Sequence, residues 1–396
     1  MKKNNKVFAS ILAITMTVLT MGSCASFGNN SGQNSTAEPE GPWEYILEEV
    51  QDVKNVILLI GDGMGPEHIR AGEIYKGKKL EMQKFPYKVK VNTDSLDGTT
   101  DSSAASTAMA TGTLINNGMV GIKSDWTTGE DHELTTIVDI AAGMGKRTGI
   151  LSTEPIYGAT PMGFSAHNIS RSSSGELVES AAKTSNVNLF ACSTMSSSFH
   201  KTFTTNGYQQ IADIKSISEA EENKIFGAYN IMARAASMTA DGMIAFDYLV
   251  TEALEYLSKD EDGFFLMAEG AHIDHGAHEN NMQYMLEELL AFDDAVKAAC
   301  AWAKNRDDTV VIVTADHETG CLMLGSSITK ENMFDVKYDK PENYLWASSG
   351  HTSTEVWCFV NGFDIDFSKY SLGEENTIKN TDIFEIVKDL FEGNKR

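Results

Sequence analysis

Ten consecutive residues, Glu269-Gly270-Ala271-His272-Ile273-Asp274-His275-Gly276-Ala277-His278, hold two carboxylates and three imidazoles in a chain with nine His. A solvated polar loop accounts for one or two such residues, and poorly for five. Asp274 and His278 stand at i, i+4, a spacing that a helical turn places on one face. Carboxylate and neutral imidazole are zinc ligands, and a catalytic zinc keeps three protein ligands and an open position. Two further stretches offer partners. Asp316-His317 lies in Val-Thr-Ala-Asp-His-Glu-Thr-Gly, where the Asp alone would read as a helix cap. His351 lies in the loop Ser348-Ser349-Gly350-His351-Thr352 and gains weight because the other clusters need a partner.

A nucleophile is offered by Thr100-Asp101-Ser102-Ser103-Ala104-Ala105-Ser106, a run of small residues suited to a closely packed helix. A Ser near a helix start is usually a cap, but the same position stabilises anions. Bound to a metal, Ser102 could ionise and attack phosphorus without a His base. The segment from Ala159-Thr160-Pro161 to Arg171 adds a hydroxyl and a guanidinium, which can grip phosphate with two parallel bonds.

The elements that must position these groups alternate between strand and helix. Strand patterns cover Val53–Ile60, Gly149–Ser152, Val187–Ala191, Ile225–Tyr229, Phe264–Glu269, Thr309–Ala315 and Glu355–Val360. Helical spacing covers Leu134–Lys146, about 242–258, Met282–Lys304 and about 381–391. This alternation predicts an α/β fold with a mostly parallel central sheet and helices on both faces, in three layers. Ligands in such folds gather at the carboxyl ends of strands. Asp62, Glu269 and Asp316-His317 each close a predicted strand. No repeat and no second core is visible, so residues 43–396 are expected to form one catalytic domain.

The chain of 396 residues carries 42% hydrophobic and 22% charged residues, which suits a soluble globular protein. Lys2, Lys3 and Lys6 precede an apolar run from Val7 to Met21, then Gly22, Ser23 and Cys24, the pattern of a secretory leader over residues 1–23. Cys24 stands where a lipoprotein leader places its acylated residue. Residues 24–42, rich in Asn, Ser and Gly, read as a flexible tether. An exported protein of the periplasm or cell envelope, held through a lipid anchor, is therefore expected. Losing the leader removes three Lys and no acid and takes the formal charge from -24 to -27. Such a surface argues against nucleic-acid binding, and an anionic substrate would need local positive charge from metals or a placed Arg. Cys192, Cys300, Cys321 and Cys358 allow three disulfide pairings between which the sequence does not choose, and no CxxC spacing suggests a cysteine-built zinc site.

Taken in order, Gly61-Asp62-Gly63-Met64-Gly65, Asp101-Ser102-Ser103-Ala104-Ala105, Ala159-Thr160-Pro161 with Arg171, Glu269 to His278, Thr314-Ala315-Asp316-His317 and Gly350-His351-Thr352 resemble the motifs of the alkaline phosphatase family, from about residue 53 to 361. The resemblance implies hydrolysis of small phosphate monoesters through a phosphoserine at Ser102. It implies Asp274, His278 and His351 as ligands of a first zinc ion, and Asp62, Asp316 and His317 as ligands of a second. Asp62, Thr160 and Glu269 would form a third site, usually filled by magnesium, and Arg171 would hold the non-transferred phosphate oxygens. Homodimers are usual in the family. The chain departs from the pattern at Gly158, where the family usually has Asp or His beside the third site. Ser106 replaces a usual Gly or Ala, and His275 is shared with some members. Alternatives are a phosphodiesterase or phosphonate hydrolase of the same superfamily, and an envelope lipoprotein that binds metal or phosphate without turnover.

Overall fold

The computed structural model describes Leu47 and residues 52–125, 127–232, 244–370 and 376–393. The expected leader (1–23) and tether (24–42), with Cys24, lie outside the described residues.

Three apolar runs, Asn55–Gly61, Phe264–Gly270 and Thr309–Thr314, are strands buried along their whole length. Continuous hydrophobic runs are what parallel strands covered on both faces require. They occupy the middle of a ten-stranded sheet. Its order from one edge is Thr377–Lys379, Tyr87–Asn92, Val356–Asn361, Thr309–Thr314, Asn55–Gly61, Phe264–Gly270, Arg147–Ser152, Leu189–Ser193, Ile225–Tyr229 and Gln209–Gln210. All run parallel except Val356–Asn361, which is antiparallel to both neighbours. Helices surround the sheet, as the alternation predicted. The long helix Met282–Ala303 packs along Asn55–Gly61 and Thr309–Thr314, and helices Ile137–Gly143 and Ala159–Gly163 pack on Phe264–Gly270 and Arg147–Ser152. Among the described residues no helix is long and apolar enough to cross a membrane.

Local chemistry moves several expected boundaries. The helix expected from Leu134 covers only Ile137–Gly143, because Thr136 caps it. Thr136 Oγ1 accepts from the Asp139 amide at 3.2 Å, and the Thr136 amide donates to Asp139 Oδ2 at 3.0 Å. That reciprocal pair fixes the first turn. The helix expected over 242–258 covers Phe246–Leu257, and Ile244–Ala245 pairs with Ile231–Met232 instead. Leu189–Ser193 starts two residues later than the apolar run Val187–Ala191. Tyr87–Asn92 and Thr377–Lys379 escape sequence inspection because Lys and Thr alternate with the buried residues near the sheet edge. Cys192, Cys300 and Cys358 are free and buried.

Candidate metal and nucleophile site

Four adjacent parallel strands deliver most of the candidate ligands to one edge of the sheet. Asp62 follows Asn55–Gly61, Glu269 ends Phe264–Gly270, Asp316-His317 follows Thr309–Thr314, and Glu154 lies just past Arg147–Ser152. Because Val356–Asn361 runs the other way, its lead-in, with His351, arrives at the same edge. Fully buried residues such as Ile57, Leu59, Leu266 and Ile312 hold these strand ends in place. Each such side chain contributes about 1.5–3 kcal/mol through burial.

Gly63 ties the strands together at the site. Its amide donates to Asp316 Oδ1 at 3.0 Å, and its carbonyl accepts from the Thr319 amide at 3.2 Å. It sits in the left-handed region (φ 70°), which Gly enters without steric penalty.

Hydrogen bonds set the tautomer of all three inward-facing imidazoles. His278 Nδ1 donates to the Ser349 carbonyl at 2.6 Å, and His351 Nδ1 donates to the Thr100 carbonyl at 2.9 Å. The Thr319 hydroxyl donates to Asp274 Oδ1 at 2.5 Å, so at 3.2 Å it accepts from His317 Nδ1. Each Nε2 is therefore left with its lone pair toward the site, as a metal-binding imidazole requires. His278 Nε2 lies 3.2 Å from His351 Nε2 and 3.2 Å from Asp274 Oδ2, and His351 Nε2 lies 3.8 Å from Asp274 Oδ1. A cation satisfies all of these atoms at once, whereas the hydrogen bond to Asp274 that pushes His278 up to about 9 satisfies a single pair. Burial raises Asp274, but the hydrogen bonds from His278 and Thr319 outweigh it and hold the carboxyl below its usual range.

Around His317 the pattern repeats with oxygen. Ser102 Oγ is 3.2 Å from His317 Nε2, Asp316 Oδ2 is 3.1 Å away, and Asp62 Oδ1 is 3.5 Å away. In a serine–histidine–carboxylate triad the acid holds the ring nitrogen opposite the serine. Here both acids crowd the serine-facing nitrogen, and burial pushes His317 down to about 4, so the ring is neutral. Four electron-rich atoms converge, and Asp62 Oδ1 and Asp316 Oδ2 are left without a hydrogen-bond partner, which fits a cation better than a proton relay. Asp274 adds to this: one atom each from Asp62, Asp274 and His317 lie within 4.8 Å of one another, as do those of Asp274, His278 and His351. Asp274, expected in the first ligand set alone, thus stands beside both.

Ser102 opens the helix Ser102–Thr111, every residue of which is buried. Asp101 caps it, accepting from the Ala104 amide at 2.9 Å and from the Ser103 hydroxyl at 2.9 Å. The small residues permit a close crossing with helix Ala159–Gly163, where a Cβ on Gly163 would meet Ser106 Oγ at 2.1 Å. Ser106 uses its hydroxyl there, donating to the Ala159 carbonyl at 3.2 Å. Arg171 NH1 contacts Asp101 Oδ2 at 3.1 Å, beside Ser102, with its side chain 37% exposed. Burial raises Asp101, but the Ala104 amide and the Arg171 charge bring it below the usual carboxylate range.

A third group lies deeper. Glu269, Asp62 and Thr160 are buried, and Glu269 Oε1, Thr160 Oγ1, Asp62 Oδ1 and Asp316 Oδ2 have no hydrogen-bond partner. Buried polar atoms are rarely left so. Burial, then the neighbouring Glu154 charge, pushes Glu269 well above the carboxylate range. Burial followed by Asp316, Asp274, Glu269 and Glu154 does the same to Asp62. Divalent cations at these atoms relieve both the missing bonds and the repulsion, so the residues present fit bound metal.

Every ligand proposed from the sequence is thus brought to one edge of the sheet, with Ser102 and Arg171 beside it. His275 is exposed and faces His272, with ring centroids 4.9 Å apart, and joins neither group of converging ligand atoms. Sequence reasoning missed Thr319, which orients Asp274 and His317, and Glu154. The hydroxyl three residues after Asp316 was the available signal for Thr319, since ligand imidazoles need a partner on their other nitrogen.

The alkaline phosphatase family model matches residues 53–202 and 196–343. Alkaline phosphatase 3 of Bacillus subtilis (strain 168) is 31% identical over 315 residues, covering 74% of this chain and 67% of that protein. Alkaline phosphatase of Escherichia coli (strain K12) is 31% identical over 333 residues, covering 67% and 70% respectively. The chain thus spans about two thirds of the length of these curated relatives. Among solved structures, alkaline phosphatase from the Antarctic bacterium TAB5 superposes with a TM-score of 0.72 at 28% identity, over 88% of this chain and 100% of that one.

Proposed function

We propose that this chain, which belongs to the alkaline phosphatase family, hydrolyses phosphate monoesters to alcohol and inorganic phosphate with Ser102 as the nucleophile. The observation that carries this is the convergence of Ser102 Oγ, Asp316 Oδ2 and Asp62 Oδ1 on the unprotonated nitrogen of His317. Asp274, His278 and His351 would hold one zinc ion, Asp62, Asp316 and His317 a second, and Asp62, Thr160 and Glu269 a magnesium ion. When bound, the zinc ions would lower the pKa of the serine hydroxyl and offset charge on the entering and leaving oxygens.

The chain's own residues do the rest. The helix start presents Ser102 Oγ where the partial positive charge of the backbone amides favours an anion. The Ser102 Oγ–P bond forms as the P–O bond to the leaving group breaks in line, the serine proton passing to solvent and the leaving oxygen taking one up to become the alcohol. Water then attacks the phosphoserine, releasing phosphate and restoring the hydroxyl. Arg171, anchored by Asp101, would take two free phosphate oxygens. A monoester has three free oxygens and a diester two, so only a monoester can fill both Arg171 positions and still offer an oxygen to the metal ligands, which favours monoesters over the phosphodiesterase alternative; a phosphonate hydrolase is separated by the substrate test. A non-catalytic binder would have no use for a serine held among the ligands.

The test is hydrolysis of a chromogenic aryl phosphate at alkaline pH by the purified chain, native, chelated, and after zinc return. Activity lost on chelation and regained with zinc is expected. No monoester turnover by folded, zinc-loaded protein would overturn the proposal and leave diesters or simple binding. The leader pattern over residues 1–23, followed by Cys24, supports export and lipid anchoring in the periplasm or envelope, and the family supports a homodimer. Fatty-acid labelling lost on Cys24→Ser, and a solution mass of twice the chain, are the expected results. No label, or a monomer mass, would count against them.

A further inference from the structure

We propose that Glu154 supplies the missing carboxylate of the third cation site, reaching from four positions earlier into the space that a side chain at Gly158 would fill. This builds on the metal reading above and concerns a small, hard divalent cation such as Mg2+.

Gly158 is not glycine for backbone reasons. Its φ of -55° and ψ of 153° are open to any residue. A Cβ there would instead lie 1.8 Å from Glu154 Oε1, 2.5 Å from its Cδ and 2.9 Å from its Cγ. The glycine and the Glu154 carboxylate thus share one volume, and a side chain at 158 would make the Glu154 carboxylate swing out of it. Glu154 is fixed at the backbone on both sides: its amide donates to Ser152 Oγ at 3.0 Å, and its carbonyl accepts from the Ser193 amide at 3.0 Å.

The same Ser152 hydroxyl donates to Glu269 Oε2 at 2.5 Å. That bond turns Glu269 so that Oε1 is left unpartnered, as is the hydroxyl of Thr160, two residues after Gly158. Both residues are fully buried. The Glu154 carboxylate lies near enough to raise the charge cost of both Asp62 and Glu269. An all-oxygen set of carboxylates and a hydroxyl suits Mg2+, which avoids the imidazoles that zinc accepts. Glu154 also feels the Arg171 charge, so it faces two candidates for its charge, a cation or the guanidinium.

The experiment is titration of the zinc-loaded protein with Mg2+ by calorimetry and thermal denaturation, with zinc counted in the same samples. Wild type is expected to bind one Mg2+ and gain thermal stability, while Glu154→Gln loses at least about tenfold in Mg2+ affinity at unchanged zinc content. The double variant Glu154→Ala/Gly158→Asp, which moves the carboxylate across the shared volume, is expected to regain Mg2+ binding. Wild-type Mg2+ affinity in Glu154→Gln would overturn the proposal, as would a rise in KM alone, which would assign Glu154 to Arg171. So would a double variant that folds, keeps its zinc and binds no Mg2+. A low zinc count in wild type would count against the zinc assignment only, because Mg2+ affinity is read separately.

Discussion

Replacing Gly63 by Ala tests how the backbone holds the ligands. Gly63 has φ 70°, and a Cβ there would lie 2.8 Å from Asp274 Cα, 2.8 Å from its Oδ1 and 2.9 Å from its Cβ, where ordinary contact begins at 3.4 Å. Two of these atoms belong to the backbone and the Cβ, so the Asp274 main chain must retreat by roughly 0.5 Å. Metal ligands tolerate about 0.2 Å. The left-handed conformation costs an alanine about 1–2 kcal/mol, and overpacking adds about 1–3 kcal/mol. Gly77 is the control, since it has φ 71° and nothing within 4 Å of its Cβ position. Gly77→Ala should therefore pay the backbone cost alone. Urea unfolding of chelated protein should show Gly63→Ala less stable than Gly77→Ala by at least about 1 kcal/mol. Competition with a chelator should show at least about tenfold weaker zinc binding in Gly63→Ala alone, equivalent to about 1.4 kcal/mol. Equal stability of the two variants with wild-type zinc affinity in both would refute the reasoning.

Two further outcomes are expected. Burial pushes Asp62 and Glu269 well above the carboxylate range and Glu154 up to about 7. A carboxyl raised on folding contributes stability that is lost as pH rises through its folded value. His278, pushed up to about 9 by its bond to Asp274, acts in the same direction. His68 and His317, pushed down to about 4 by burial, oppose this only below the ordinary histidine range, about 6.5. The chelated protein should therefore lose stability between about pH 6.5 and 9, where His278 gives up its proton, and zinc with magnesium should abolish the loss; a chelated protein that holds its Tm across that window would contradict the His278–Asp274 pairing. Asp101→Ala removes the cap of the Ser102 helix and the partner of Arg171. It should cost about 1 kcal/mol of stability and raise KM for monoesters; an unchanged KM would detach Arg171 from substrate binding.

The central strands were legible because burial on both faces makes them continuous apolar runs, and Asp62, Glu269 and Asp316-His317 stand where those runs stop. The direction of Val356–Asn361 was not legible, since alternation marks a strand without giving its partner or sense. Tyr87–Asn92 hid behind its Lys residues for a related reason: a strand near the edge needs to be apolar on one face only. Within the site, residue types and spacing pointed to the ligands, but not to Asp274 lying beside both sets. Glu154 was invisible because its place depends on the fold of the loop between Ser152 and Thr160. A loop that lacks an acid at Gly158 and carries one at Glu154 was the sole sequence trace of it.

The most direct measurement is acid quenching of the zinc-loaded protein during turnover of an aryl phosphate, followed by peptide mass mapping, beside Ser102→Ala at equal zinc content. The account predicts phosphate on Ser102 and a loss of at least about 10³-fold in kcat/KM for Ser102→Ala. Turnover by Ser102→Ala within about tenfold of wild type, with no phosphate found on Ser102, would contradict it.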